Sequence, residues 1–226
     1  MISVVVDVDD TLIDKKRSTH GIWEMALERE IPFEDVVELR AEEIFERHAA
    51  EEQKARMAEL RRSFMDIQLC RDERGIPLLG LDEPVPHAAE VLREWSRSCR
   101  IVYLTGRIEA LRGPTMEQLK RHGFPIEGTE LVMFKPEDWA GSSPGRGILE
   151  ARSKLFSQIC DEHDVVRVVD DFPGYFKTYR EHDVPELIGL LRSKNFRAQD
   201  FLDRGATRVV ESWEELRGDP PRPRAQ

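Results

Sequence analysis

A mostly apolar, β-branched run from Ile2 to Val6 opens the chain, and similar runs recur at Ile101 to Leu104, Leu131 to Phe134, Val165 to Val169 and Leu187 to Leu191. Apolar stretches without alternation predict strands covered on both faces, the pattern of a parallel sheet. A weaker strand follows at Thr207 to Val210. Between the strands, Ala88 to Ser96, Met116 to Arg121, Leu149 to Ile159 and Tyr175 to Arg180 read as helices. Strand and helix in alternation imply right-handed crossovers and an α/β fold, a Rossmann-like doubly wound parallel sheet.

One stretch breaks the alternation. From about Lys15 to Ile76 no strand pattern occurs, and Val37, Ala41, Ile44 and His48, then Met57, Leu60, Phe64 and Ile67, return every three or four positions. That period is a helical stripe. The expected organisation is an α/β core over residues 1–14 and 77–216, an inserted helical unit over 15–76, and a proline-rich, polar tail over 217–226 that reads as disordered.

Charge narrows the functions this organisation can serve. A net charge of -10 disfavours proteins that grip nucleic-acid backbones or anionic membranes, which need a positive field. Small molecules are the expected partners. The 35% charged residues make a well-solvated surface, while 40% hydrophobic content supplies a core. Cys70, Cys99 and Cys160 form no paired spacing, so they read as reduced thiols of a cytoplasmic protein. The Ile2 to Val6 run is too short and too soon acidic for a membrane span or secretory signal.

Ligands of doubly wound sheets sit beyond the carboxyl ends of the strands. At those ends stand Asp7, Asp9 and Thr11 after the first strand, Thr105-Gly106-Arg107 after the second, and Asp170-Asp171 after the fourth. Two carboxylates about 4 Å apart repel by roughly 4 kcal/mol at an effective dielectric near 20. Gathering Asp7, Asp9, Asp170 and Asp171 therefore calls for a cation. All-oxygen donors with positions left for water and phosphate suit Mg²⁺ better than Ca²⁺ or Zn²⁺.

The run D-V-D-D-T-L resembles the first motif, D-x-D-x-T, of the haloacid dehalogenase-like superfamily of hydrolases and phosphatases. "IVYLTGR" is similar to its second motif and "VVRVVDDFPG" to its fourth. The third motif is a lysine upstream of the acidic pair. Lys154, 16 residues before Asp170 in "ILEARSKLFSQI", is the expected match, with Lys135 in "LVMFKPEDW" its rival.

What the resemblance implies is a Mg²⁺-dependent phosphomonoester hydrolase of a small phosphorylated metabolite. Asp7 becomes the nucleophile and Asp9 the general acid and then base. Mg²⁺ is held by the Asp7 carboxylate, the Asp9 backbone carbonyl and the pair Asp170 and Asp171. Thr105 and Lys154 bind phosphoryl oxygens. Thr11 fixes the loop or touches substrate, Gly106 lies at the substrate edge, and Arg107 reaches substrate or braces its loop. The dehalogenase branch carries a non-acidic residue where Asp9 stands, so Asp9 favours phosphate esters. The inserted helices resemble the family's cap, with Trp23, Phe45, Arg47 and His48 as its core or surface. Phosphomutase or other phosphotransfer chemistry, and a receiver-like phospho-acceptor domain, are the alternatives.

Overall fold

The structure, a computed structural model, describes residues 1–54, 78–135 and 146–224. The chain divides into two compact units, Met1–Ile13 with Pro84–Gln226, and Asp14–Glu83.

In the first unit, strands β1 (Ile2–Asp7), β4 (Arg100–Ile108), β5 (Glu130–Phe134), β6 (Asp164–Asp170), β7 (Glu186–Leu190) and β8 (Arg208–Val210) form one sheet in the order β5-β4-β1-β6-β7-β8. All adjacent pairs are parallel. The expected doubly wound α/β fold is what the chain adopts. Val4, Val5 and Val6 of β1 are fully buried, as a strand covered on both faces requires. Helix α7 (Arg146–Glu162), α8 (Phe176–Arg180) and α9 (Ala198–Leu202) cover one face, where Phe156, Tyr179, Phe176 and Phe201 pack on Val5, Val102 and Val168. Helix α5 (Ala88–Trp95) carries Trp95, which packs on Trp213 at 5.7 Å between ring centroids. Helix α6 (Arg112–Arg121) connects β4 to β5. Gly189 is demanded by packing: a Cβ there would lie 2.4 Å from the Phe201 ring.

Strand β4 runs four residues past the expected end at Leu104, with a register shift between Leu104 and Ile108. The shift bends Thr105-Gly106-Arg107 out of regular pairing while keeping those residues at the strand's end. Cys99 is buried and Cys160 half-buried, both free thiols, and Cys70 lies outside the described residues. Among the described residues no helix is long and apolar enough to cross a membrane.

The second unit holds α1 (Lys16–Leu27), α2 (Phe33–Glu38), α3 (Ala41–His48) and α4 (Glu51–Lys54). Its small core is Trp23, Leu27, Ile31, Ile44 and Phe45. The expected stripe is broken: Leu39 and Arg40 are extended, and Ala41 is exposed. Asp35 joins the elements, accepting from Arg47 Nη1 at 2.8 Å and pairing with His48 Nε2 at 2.7 Å. Met57, Leu60, Phe64 and Ile67 lie outside the described residues. Residues 78–83 belong with this unit. Asp82 Oδ1 accepts from the Ser18 N–H at 2.9 Å, and Leu78 fits against Gly21, where a Cβ would come within 2.9 Å. Strands β2 (Ile13–Asp14) and β3 (Glu83–Pro84), where the chain passes between units, form a separate two-stranded sheet.

The tail differs from expectation. Arg167, buried on β6 with its guanidinium 4.7 Å from the Trp95 ring centroid, donates to the Asp219 carbonyl at 2.7 Å and to Glu186 at 2.6 Å. Arg208 donates to the Asp219 carboxylate at 3.0 Å, Arg217 meets Glu90, and Pro221 is buried. A buried guanidinium requires acceptors, and the tail supplies one, which holds residues 217–224 in place. Removing residues 217–226 is expected to cost about 1–3 kcal/mol of unfolding free energy. Urea denaturation checks this; an unshifted midpoint means the tail contributes nothing.

Candidate active site

Sheet register builds the site. Asp7, the last residue of β1, pairs with Leu104, which places Thr105 beside it on one flank. On the other flank Val6 pairs with Val169, so Asp170 follows next to Asp7. After β1 the chain folds into a tight turn: the Leu12 and Ile13 N–H groups both donate to the Val8 carbonyl, at 2.9 and 3.0 Å, and Asp10 takes φ 61°. An L-residue in that region is strained, and aspartate tolerates it better than most.

Asp7, Asp170 and Asp171 each bring one carboxylate oxygen to within 4.8 Å of the others. Between the first two lies Arg152, fully buried on α7. Its Nη1 donates to Asp7 Oδ1 at 2.8 Å, its Nη2 to Asp170 Oδ2 at 2.5 Å and its Nε to the Tyr179 hydroxyl at 2.9 Å. The Tyr179 hydroxyl in turn donates to Asp170 Oδ2 at 2.6 Å, and Asp170 Oδ1 accepts the Phe172 N–H at 2.9 Å. Asp170 thus accepts two hydrogen bonds on Oδ2 and one on Oδ1, which leaves Oδ1 a further lone pair. Asp7 makes no other side-chain hydrogen bond among the described residues, which leaves Oδ2 open.

Asp9 has partners of its own. Its carboxylate accepts Thr105 Oγ1 at 2.8 Å and the Arg107 fork at 3.0 to 3.3 Å. Arg107 is buried, and its remaining nitrogen donates to Thr115 and Gln118. Arg107 is thus engaged in bracing Asp9, with no nitrogen turned to a ligand. Thr105 also accepts the Arg107 N–H at 3.1 Å, so its hydroxyl is committed on both sides. Thr11 donates to Asp171 Oδ1 and accepts the Asp171 N–H, both at 3.1 Å, tying the β1 loop to the β6 end. Gly106 is half-exposed, and a Cβ there would meet nothing within 4 Å.

Among the described residues the cation that reaches the cluster is Arg152, and Lys154 stands elsewhere on the helix. Lys154 is exposed on α7. Two residues past Arg152, it stands about 200° around the helix. Lys135, the rival, is also exposed. A helical signal for Arg152 was present: Ala151, Leu155, Phe156 and Ile159 define the inward face, and Arg152 falls within that arc, four residues before Phe156.

Electrostatics tests whether a metal fits. Burial pushes the Asp7 carboxyl up to about 8; Arg152 opposes the rise, and Asp170 and Asp9 add to it. Asp170 is raised also, chiefly by burial, against the pull of Arg152. Burial works against the charge on Arg152, but Tyr179, Asp170 and Asp7 more than offset it and hold the guanidinium protonated. One arginine shared by two buried carboxylates does not neutralise them. Fully ionised, three carboxylates and one guanidinium would sum to a formal charge of -2, which a divalent cation would balance by displacing the protons that burial favours, and the oxygen-only donor set suits a hard ion. The residues present fit such a metal.

No family model and no curated protein sequence matches the chain. Solved structures do match its fold. A haloacid dehalogenase-like family hydrolase from Streptococcus pneumoniae aligns with a TM-score of 0.63 at 14% identity, covering 96% of each chain. A predicted phosphatase from Clostridium acetobutylicum gives 0.62 at 13% identity over 95% of each chain. A family hydrolase from Deinococcus radiodurans, solved with bound phosphate and sodium, gives 0.55 at 16% identity over 95% of this chain and 93% of that one. The chain has the haloacid dehalogenase-like fold.

The raised Asp7 carboxyl sets a pH dependence. The folded, metal-free protein holds this proton more tightly than the unfolded chain, whose value is 3.8. The stabilisation is complete below that value and is lost as pH rises through about 8. The melting temperature of metal-free protein is expected to fall as pH rises from about 4 to about 8 and then to level off, Asp7→Asn is expected to lack that fall, and Mg²⁺ is expected to stabilise most at the alkaline end. Thermal scans across pH check all three.

Proposed function

We propose that the protein is a Mg²⁺-dependent phosphomonoester hydrolase acting through an aspartyl-phosphate on Asp7, with the inserted helical unit as its cap. The observation that carries this reading is the open Oδ2 of Asp7 beside Asp170 and Asp171, with the other oxygen held by Arg152.

Asp7 Oδ2 attacks phosphorus in line, and the new O–P bond forms as the ester P–O bond breaks. Arg152, anchored by Tyr179 and Asp170, fixes the other carboxylate oxygen so that Oδ2 points to the ester. Asp9 in its protonated form delivers a proton to the leaving oxygen. Thr105, whose hydroxyl both donates and accepts, reverses its bond to suit that form. Water then attacks the aspartyl-phosphate, gives its proton to Asp9, and the Asp7 O–P bond breaks. The sum is ester plus water to alcohol plus inorganic phosphate. A divalent cation held by Asp7, Asp170 and Asp171 would neutralise phosphoryl charge, so that one anion can approach another.

The test is phosphate release from a generic aryl phosphate with Mg²⁺. Asp7→Asn and EDTA treatment are each expected to abolish turnover, with Mg²⁺ restoring the chelated enzyme; equal rates for wild type and Asp7→Asn would overturn the reading. Within the same assay Arg152→Ala is expected to lose about 10²- to 10³-fold in kcat. Lys154→Ala is expected to stay within about twofold of wild type, since an exposed lysine carries little.

A further inference from the structure

Two large apolar side chains close in sequence to residues of the carboxylate cluster are open to solvent. Phe172, 37% exposed, follows Asp170 by two residues, and Leu149, 39% exposed, precedes Arg152 by one helical turn. Single exposed apolar residues are ordinary. Phe172 is distinguished by how firmly it is held. Its N–H is fixed on Asp170 Oδ1 at 2.9 Å. Its ring rests against Gly174, where a Cβ would come within 2.2 Å of it, so only glycine allows this placement. Tyr175 and Phe196 meet the ring edge-on, at 4.9 and 5.6 Å between centroids. Tyr175 lies 4.5 Å from the Arg152 guanidinium, which reaches Asp7 at 2.8 Å. Phe172, Tyr175 and Arg152 thus form a chain of contacts that ends at Asp7, and Phe172 and Phe196 offer no hydrogen-bonding group to a sugar or glycerol hydroxyl.

We infer that the substrate is a phosphomonoester whose leaving group carries an aromatic ring, packed against Phe172 while its phosphoryl group sits at Asp7. This rests on the phosphomonoesterase reading above. A planar, apolar ring gains from burial and from edge or offset contact with Phe172, whereas a polyol would be stripped of water without replacement partners. The ring chemistry is shared by aryl and nucleobase esters, and the two are arms of the test.

Four esters are compared with the Mg²⁺-loaded enzyme: phenyl phosphate, a pyrimidine and a purine nucleoside monophosphate, and glycerol 2-phosphate. Phe172→Ala is expected to lower the aromatic-to-glycerol ratio of kcat/KM about tenfold, chiefly through KM. Phe172→Leu, which keeps apolar bulk and protects the fold, is expected to fall between. An unchanged ratio overturns the inference. A turnover-independent arm uses the Asp7→Asn protein with Mg²⁺ and calorimetry: phenylphosphonate is expected to bind about tenfold tighter than methylphosphonate, and Phe172→Ala to erase the difference. Equal binding, or no binding of phenylphosphonate, overturns the inference. Failure of the hydrolase reading shows itself separately, as equal phosphate release by wild type and Asp7→Asn.

Discussion

A single guanidinium buried between two carboxylates governs the candidate site. Arg152 reaches Asp7 and Asp170 at 2.8 and 2.5 Å with almost no exposure to water. Ions removed from water carry a desolvation penalty, and buried pairs persist only where geometry and extra hydrogen bonds compensate. Tyr179 supplies both, accepting from Arg152 and donating to Asp170. The compensation is incomplete, because two acids face one base. That residual negative charge makes the cluster receptive to a divalent cation and leaves Asp7 with one oxygen uncommitted.

A second carboxylate of the same loop lives under different rules. Asp9 has a guanidinium of its own, Arg107, braced by Thr115 and Gln118 on α6. Two aspartates two residues apart thus have separate cations, one from strand β4 and one from helix α7. Separation of that kind is what proton transfer and nucleophilic attack by neighbouring carboxyls demand. Neither assignment can be exchanged by a local rearrangement, since each arginine is buried by the core that holds its helix or strand.

Much of the core was legible from the chain. Mostly apolar runs marked β1, β4, β5, β6 and β7, since burial on both faces leaves little room for polar alternation. The acidic strand ends were legible for the same reason: charge directly after such a run belongs at the sheet's edge. Less legible were features set by phase and by distant partners. Arg152 and Lys154 are neighbours in sequence, yet helical rotation buries one and exposes the other. The tail read as disordered because its composition is polar and proline-rich, but composition does not reveal that Arg167, more than 50 residues earlier, needs the Asp219 carbonyl.

By itself the sequence determined which residues could be strand and helix, and which chemistry stood at each strand end, because these depend on the periodicity and polarity of neighbours. Only the tertiary structure decided which cation serves which carboxylate. That choice follows from strand register and helix phase, and both are settled when elements far apart in the chain pack against each other.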